Sequence, residues 1–276
     1  MRTRLFATSL CLLAGLAAAT PAEAQFGAQG TGNRATGETY HVELVGAIWN
    51  PKPEITIVSE GLGQPGDSID FVNTLGIEQK TFKQFKMVLR PATKHKFRFE
   101  YTPIKYEAEK IVPVSFVFNG QRFNVGVNVG TELKWNAYRF AYEWDFIYRD
   151  RGFAGLILEA KYTDVRAELT AATVGVAQFT EARAPIPAIG FIGRGYVVPN
   201  ISITGEFTAF KLPEKALSTD DYSAKYYDFD IYGTVNFTDH FGVQLGYRSF
   251  DVFYKVKRDT GALNLKGYYF AGVGRF

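Results

Sequence analysis

From residue 42 to the C-terminus the chain alternates apolar and polar positions with a period of two. In the stretch from Tyr226 to Phe237, Tyr227, Phe229, Ile231, Gly233, Val235 and Phe237 share one face. Tyr226, Asp228, Asp230, Tyr232, Thr234 and Asn236 share the other. After the turn Thr238, Asp239, His240, a second run sets Phe241, Val243, Leu245 and Tyr247 against Gly242, Gln244, Gly246 and Arg248. The period recurs at 42–48, 85–89, 97–102, 138–146, 154–162 and 201–208, more weakly at 186–197, and in a last run over 262–276. Successive side chains of a strand point to opposite faces, so this pattern predicts strands with one apolar and one polar side.

The pattern predicts about ten strands, most near the ~9–11 residues that a tilted membrane strand needs; eight and twelve are the alternatives. Short connections follow Arg90, Tyr148, Val197 and Phe237, and long ones are expected at about 50–78, 107–132, 166–184 and 212–223. Short turns on one side and long loops on the other are the pattern of an antiparallel barrel in an outer membrane, with both chain ends in the periplasm. A soluble sandwich also alternates, but its apolar face carries branched aliphatics. Here aromatics gather near strand ends. Phe146, Tyr148, Phe153, Phe237, Phe241 and Phe276 are expected to form a periplasmic girdle, and Trp49, Tyr106, Trp135, Tyr226 and Phe253 an outer one.

Composition agrees. The 276 residues include 24 Phe, 16 Tyr and 27 Gly, which favours strands and tight turns. Mean hydropathy is close to zero, as expected when lipid-facing and lumen-facing residues alternate. The net charge of +3 is spread along the chain, so no basic block points to nucleic acid.

The N-terminus carries an export pattern: Arg2 and Arg4, an apolar run from Leu5 to Ala19, and the Ala22-Glu23-Ala24 site, with cleavage expected before Gln25. Residues 1–24 are read as a signal peptide, 25–38 as a flexible periplasmic leader, and 39–276 as a single antiparallel all-β barrel domain. The sole cysteine, Cys11, falls in the signal. The mature chain therefore has no disulfide, cysteine-ligated zinc or cysteine nucleophile.

The chain ends Tyr268-Tyr269-Phe270-Ala271-Gly272-Val273-Gly274-Arg275-Phe276. A terminal Phe276 closing an alternating strand, with Phe270 and Tyr268 in phase, resembles the C-terminal assembly signal of outer-membrane proteins. The whole mature chain is similar in architecture to the small outer-membrane barrels typified by outer-membrane proteins A and W. The resemblance implies periplasmic chaperoning, insertion by the barrel-assembly machinery, and outer-membrane lipids and lipopolysaccharide as neighbours.

The inward face is rich in both signs of charge. Glu43, Glu100, Glu143, Asp145, Glu159, Glu206, Asp228 and Asp230 stand against Lys86, Arg98, Arg139, Lys161, Arg194, Arg248 and Arg275. A ten-strand barrel is little wider than one that side chains fill, and a wide pore needs about 16 strands. Unpaired buried charge is costly, so these groups are expected to pair, with Asp228, Asp230 and Arg248 as the leading cluster. That predicts a plug or a narrow polar passage.

Other chemistry is weaker. His41, His95 and His240 all fall at predicted periplasmic ends, away from outer-surface acid–base work. Glu143 and Asp145 share a face, but a structural role for two same-face carboxylates near Arg139 is the simpler reading. Gly61, Gly63 and Gly66 match G-x-G-x-x-G without the strand–helix context that motif needs. Asn119-Gly120 signals a hairpin, either projecting from a loop or crossing the membrane. Asp220 and Asp221 are read as a solvated loop. No cofactor or metal is implied. The leading role is structural or narrow-channel, the alternative surface binding through the loops at 50–78 and 107–132, and the third a lipid-modifying enzyme or protease.

Overall fold

The computed structural model describes residues 35–171, 175–212 and 222–276. The export signal with Ala22, Ala24 and Gln25, the leader up to residue 34, and Asp220 and Asp221 lie outside the described residues. Thirteen strands follow in order: β1 (Val42–Val58), β2 (Ile69–Asp70), β3 (Phe82–Ala92), β4 (His95–Ile111), β5 (Phe116–Phe118), β6 (Gln121–Phe123), β7 (Asn128–Arg149), β8 (Gly152–Ala171), β9 (Val176–Val198), β10 (Ile201–Leu212), β11 (Tyr222–Asn236), β12 (Phe241–Val256) and β13 (Asp259–Arg275). Without β2, β5 and β6, ten strands pair antiparallel in chain order, and β13 returns to β1 to close the wall. The seam runs from Glu43 opposite Arg275 to Val58 opposite Thr260. Closure leaves no open edge, the condition for strands to cross lipid.

The two faces separate as the alternation predicts. On β11, Tyr226, Asp228, Asp230, Tyr232, Thr234 and Asn236 are buried, and Tyr227, Phe229 and Ile231 are exposed. The outward face is apolar from Phe146, Phe241 and Phe276 up to a ring of tyrosines. Tyr101, Tyr138 and Tyr162 are register neighbours on β4, β7 and β8, with ring centroids 4.8 Å and 6.4 Å apart. Tyr247 and Tyr268 meet at 5.1 Å on β12 and β13, and Tyr227 stacks on Phe207 at 6.4 Å. Beyond this ring the outward residues turn charged, among them Lys52, Lys105, Lys134, Arg166 and Lys266. From Phe276 to Tyr268 the strand covers about 26 Å before tilt, at ~3.3 Å per residue. At the ~40° tilt of such strands this is about 20 Å of height, close to the apolar band of about 25 Å.

The tyrosine ring corrects the expected outer girdle. Trp49, Tyr106, Trp135 and Tyr226 are buried inside the barrel. Each shares the phase of the lumen residues, and phase, not closeness to a strand end, decides which side a residue faces. Phe153 likewise points inward, and Tyr148 is half-buried with its ring 5.0 Å from the Arg90 guanidinium.

The outer connections are also shorter than expected. Residues 166–184 are largely strand: β8 and β9 pair from Gly152 opposite Gly195 to Ala171 opposite Val176. Outside the bilayer their outward side is charged, with Arg166 bonded to Glu181 at 2.7 Å and Arg183 to Asp164 at 3.1 Å. The apolar half of the pattern continues inward at Val165, Ala167, Leu169 and Ala171, while the outward side is mainly charged, with Phe179 covered by Arg166 at 4.2 Å. The Asn119-Gly120 turn joins β5 to β6 in a small separate hairpin, with φ of 48° and 76°, so it does not add two crossing strands.

Leu245 is exposed within the apolar belt, between Phe241 and Tyr247. Replacing it with Arg is expected to cost about 2–4 kcal/mol if it lies at the bilayer midplane. Urea unfolding of the barrel in lipid vesicles measures this; an unchanged midpoint would remove Leu245 from the lipid face.

Candidate functional site: the lumen and its two mouths

The interior is built in three tiers. The lowest closes the short-turn mouth and comes from residues 35–40, which precede the first strand. Their backbone is held by one periplasmic turn after another. The Ala35 N–H donates to the Asp150 carbonyl at 3.3 Å, and the Thr36 N–H to the Pro199 carbonyl at 2.7 Å. The Gly37 N–H donates to Asp239 Oδ1 at 2.8 Å. Asn236 Nδ2 donates to the Thr36 carbonyl at 2.6 Å, and the Arg90 guanidinium donates to the Glu38 carbonyl at 2.5 Å. The Glu38 carboxylate accepts from Arg194 and from the Tyr196 hydroxyl, both at 2.8 Å. Tyr40 lies between the guanidinium groups of Arg90 and Arg275, at 5.4 Å and 5.8 Å. Gly37 has φ +84°, and a Cβ there would run into the Arg275 guanidinium and Asn236. The described end of the expected flexible leader is thus a docked strap. Its polar composition reads as solvated, but the barrel rim supplies partners for the Ala35, Thr36 and Gly37 N–H groups and for Glu38 Oε1.

The middle tier is ionic. Among the described residues, nine cations (Lys86, Arg90, Lys96, Arg98, Arg139, Lys161, Arg194, Arg248, Arg275) face nine carboxylates (Glu38, Glu43, Glu100, Glu143, Asp145, Glu159, Glu206, Asp228, Asp230). Arg248 grips Asp228 with two bonds of 2.9 Å and 2.7 Å and also bonds Glu100. Arg139 lies among Glu159 at 2.5 Å, Glu100 at 3.6 Å, and Glu206. Arg98 bridges Glu143 at 2.7 Å and Glu206 at 2.9 Å. Lys161 joins Glu159 at 3.0 Å to Asp228 at 2.7 Å. Lys96 is shared by Glu143 at 2.6 Å and Asp145 at 2.8 Å. Arg275 holds Glu43 at 2.6 Å across the seam.

Asp230 stands directly opposite Arg248 in the β11–β12 register. Its partners are nevertheless Lys86 at 3.0 Å and the Tyr269 hydroxyl at 2.9 Å. Arg248 leans one pleat outward to Asp228 instead, so the expected three-residue cluster splits into two. Sequence reading missed Glu38, Arg90, Lys96 and Tyr269. Arg90 and Lys96 share the inward phase of Lys86 and Arg98 and were open to that signal. Glu38 lies before the alternation begins and had none.

The upper tier is apolar. An aromatic layer roofs the charges: Trp135 and Phe250 meet at 4.8 Å, Tyr226 and Phe250 at 5.1 Å, and the Trp49 indole donates to the Gly267 carbonyl at 3.2 Å. Above it Ile55, Ile57, Leu133, Val165, Leu169, Leu263 and Leu265 line the wall. Phe71, Leu75 and Ile77 from the β2–β3 connection fill the mouth with Phe116, Phe118 and Phe123 from the β5–β6 hairpin. Gly61 packs on the Asn119 backbone, and Gly66 on that of Ser59. Gly61 and Gly66 serve close loop packing, and Gly63 takes a left-handed turn conformation with φ +74°, so the three glycines of the G-x-G-x-x-G match have loop roles.

Among the described residues, the lumen holds cavities of about 20 Å³, one between the ionic and aromatic tiers lined by Gln84, Trp49, Arg139 and Arg248, another within the ionic tier lined by Glu43, Lys86, Arg98 and Gln244. Each has room for roughly one water. His41, His95 and His240 sit at the short-turn rim, where His95 Nδ1 lies 2.6 Å from the Tyr142 hydroxyl and His240 Nδ1 lies 3.0 Å from the Arg275 carbonyl. The terminal Tyr268, Phe270 and Phe276 all face outward and are exposed.

No protein-family model matches the chain, and no curated protein matches it. Solved structures do. The outer-membrane protease OmpT of Escherichia coli aligns with a TM-score of 0.58 at 8% identity, over 90% of this chain and 100% of that one. The attachment invasion locus protein Ail of Yersinia pestis gives 0.37 at 8% identity, over 84% and 99%. The toluene transporter TodX of Pseudomonas putida gives 0.34 at 9%, over 90% and 70%. At such identities the OmpT match speaks for the fold alone: a closed ten-strand barrel of the bacterial outer-membrane kind.

Two outcomes follow from this geometry. Arg248→Ala removes two bonds to Asp228 and one to Glu100, leaving Asp228 to Lys161 and Glu100 to Arg139 in a closed interior; it is expected to cost up to about 3–5 kcal/mol, read as a lower unfolding temperature, and no change would argue against a paired lumen. Burial alone would raise the Glu38 carboxyl, but the charges of Arg194, Lys96 and Arg90 outweigh it and hold it below the usual carboxylate range. A depressed carboxyl stabilises the fold above its unfolded value of about 4.3, and this is lost as pH falls through the folded value. The stability gap between wild type and Glu38→Gln is therefore expected to shrink as pH drops below about 4.3. A gap independent of pH would dissociate Glu38 from the strap's anchoring.

Proposed function

We propose that the chain is a closed structural barrel of the outer membrane that holds rigid loops at the cell surface and does not conduct. The observation carrying this reading is the succession of strap, ion-pair tier and apolar tier along one lumen, with voids that each hold about one water. A narrow channel needs a continuous polar path. Here the polar path meets the aromatic layer of Trp49, Trp135, Tyr226 and Phe250.

Surface recognition is the second reading, and one observation favours it. The loops expected to bind partners are braced from inside, yet leave Leu62, Val114 and Val125 exposed, Leu62 by 91%. An enzymatic reading has less support. Described inward positions above the aromatic layer are mainly apolar, and the Glu143–Asp145 pair is engaged by Lys96 near the opposite mouth.

Conductance in a planar bilayer tests the proposal. The chain from Gln25 onward, refolded and shown to be heat-modifiable, is expected to insert silently. Reproducible unitary steps from the folded barrel would overturn it in favour of a channel.

A further inference from the structure

The short-turn mouth holds a charge imbalance that the strap conceals. Eight of the nine lumen carboxylates belong to the wall strands, and Glu38 alone belongs to the strap. Among the described residues, Arg90 and Arg194 have no other carboxylate within 4.0 Å. The neighbouring Arg275 has its own partner in Glu43. With the strap lifted away, two guanidinium groups at the mouth lose their counter-charge. Unpaired charge in a partly desolvated site is costly, so the mouth is built around a carboxylate that the wall does not supply.

The strap fills this site incompletely. Glu38 Oε1 accepts from Arg194 and from the Tyr196 hydroxyl, but Glu38 Oε2 has no donor within hydrogen-bond reach, and Arg90 Nη1 stands 3.7 Å from it. Arg90 Nε and Arg275 Nη2 are buried donors with no acceptor among the described residues. The strap also lies outside the sheet. It precedes β1 and pairs with no strand, so it can lift away without breaking a rung of the barrel. Its apolar burial is limited to Ala35 and Tyr40. Segments with few buried apolar contacts open at low free energy. Beneath it lies Ser202, the second residue of β10, which stands opposite Tyr196 and is 0% exposed. The Tyr196 hydroxyl reaches the Thr36 carbonyl at 3.3 Å, which places the strap over this corner of the mouth.

We propose that the mouth is a carboxylate-binding site for an extended acidic peptide, with Arg194, Arg90 and the Tyr196 hydroxyl as its donors, and that the strap is the tethered, displaceable ligand that occupies it in the resting barrel. Docking of the strap is then an autoinhibitory contact, and a free segment of the same chemistry competes for the site when the strap swings out about His41. The inference is independent of whether the lumen conducts, because the ionic and aromatic tiers remain closed above the site.

Thiol labelling of the full mature chain tests it, with Ser202→Cys as the reporter and a small charged reagent as the probe. Labelling is expected to be slow in the otherwise wild-type chain. Glu38→Gln is expected to speed it about tenfold, the effect of losing one hydrogen bond between charged groups. Gly37→Leu, which dislodges the strap by collision with Arg275 and leaves every charge in place, is expected to do the same. A synthetic peptide with the sequence of residues 35–41, added in excess to the Glu38→Gln chain, is expected to restore slow labelling. The same peptide carrying Glu38→Gln is expected to leave it fast. A Thr102→Cys reporter, deeper in the lumen, is expected to stay unlabelled throughout, and heat-modifiable migration establishes that each variant is folded. Equal labelling of Ser202→Cys in the wild-type and both strap variants would overturn the displaceable strap. Equal protection by the two peptides, or by neither, would overturn the carboxylate site. Labelling of Thr102→Cys in step with Ser202→Cys would show general loosening of the barrel and overturn both.

Discussion

A wall of ten strands encloses little more than the width of its own side chains. Everything inside this barrel follows from that constraint. An inward residue cannot be solvated by a wide aqueous channel, so it must be matched by another inward residue across the lumen. Charge is then tolerated only in balance, and nine cations against nine carboxylates meet that requirement. Where the charges stop, an aromatic layer begins, and the space beyond is filled by apolar side chains from wall and loops. The same narrowness makes a six-residue strap sufficient to cover the lower mouth.

The outside obeys a second constraint, set by lipid. The exterior is apolar where hydrocarbon surrounds it, tyrosine-rich at one boundary and charged beyond. The three zones share strands with the three interior tiers but are independent of them. Asp228 and Tyr227 are chain neighbours, one in the ionic tier and the other in the tyrosine ring. The period of two lets one strand satisfy both environments at once.

Much of this is legible in the sequence alone. The phase of alternation assigned Asp228 inward and Phe229 outward, and the strand count followed from it. Phase also held the correct placement of Trp49, Trp135 and Tyr226, which strand-end position obscured. Strand length was underestimated where the outward face turned charged, as in β8 beyond Tyr162, because half of the alternating signal vanishes outside lipid. The lumen charges were recognisable as a class, but their partners were not. Arg139 reaches Glu206, 67 positions away in sequence, a contact that only the closed register determines. The strap had no periodicity at all; Glu38 and Tyr40 become informative only once the ring of arginines around them is known.

Accessibility of the mid-lumen is the most direct test of a filled interior. Residues 25–276 contain no cysteine, so single cysteines introduced at Thr102 and Thr204, both buried and inward, report without background. With a small charged thiol reagent, both are expected to stay unlabelled in the folded barrel and to react fully after unfolding in urea, while a cysteine at exposed Leu62 reacts at once. Rapid labelling of Thr102→Cys or Thr204→Cys in the folded protein would contradict the account and reveal an open aqueous path.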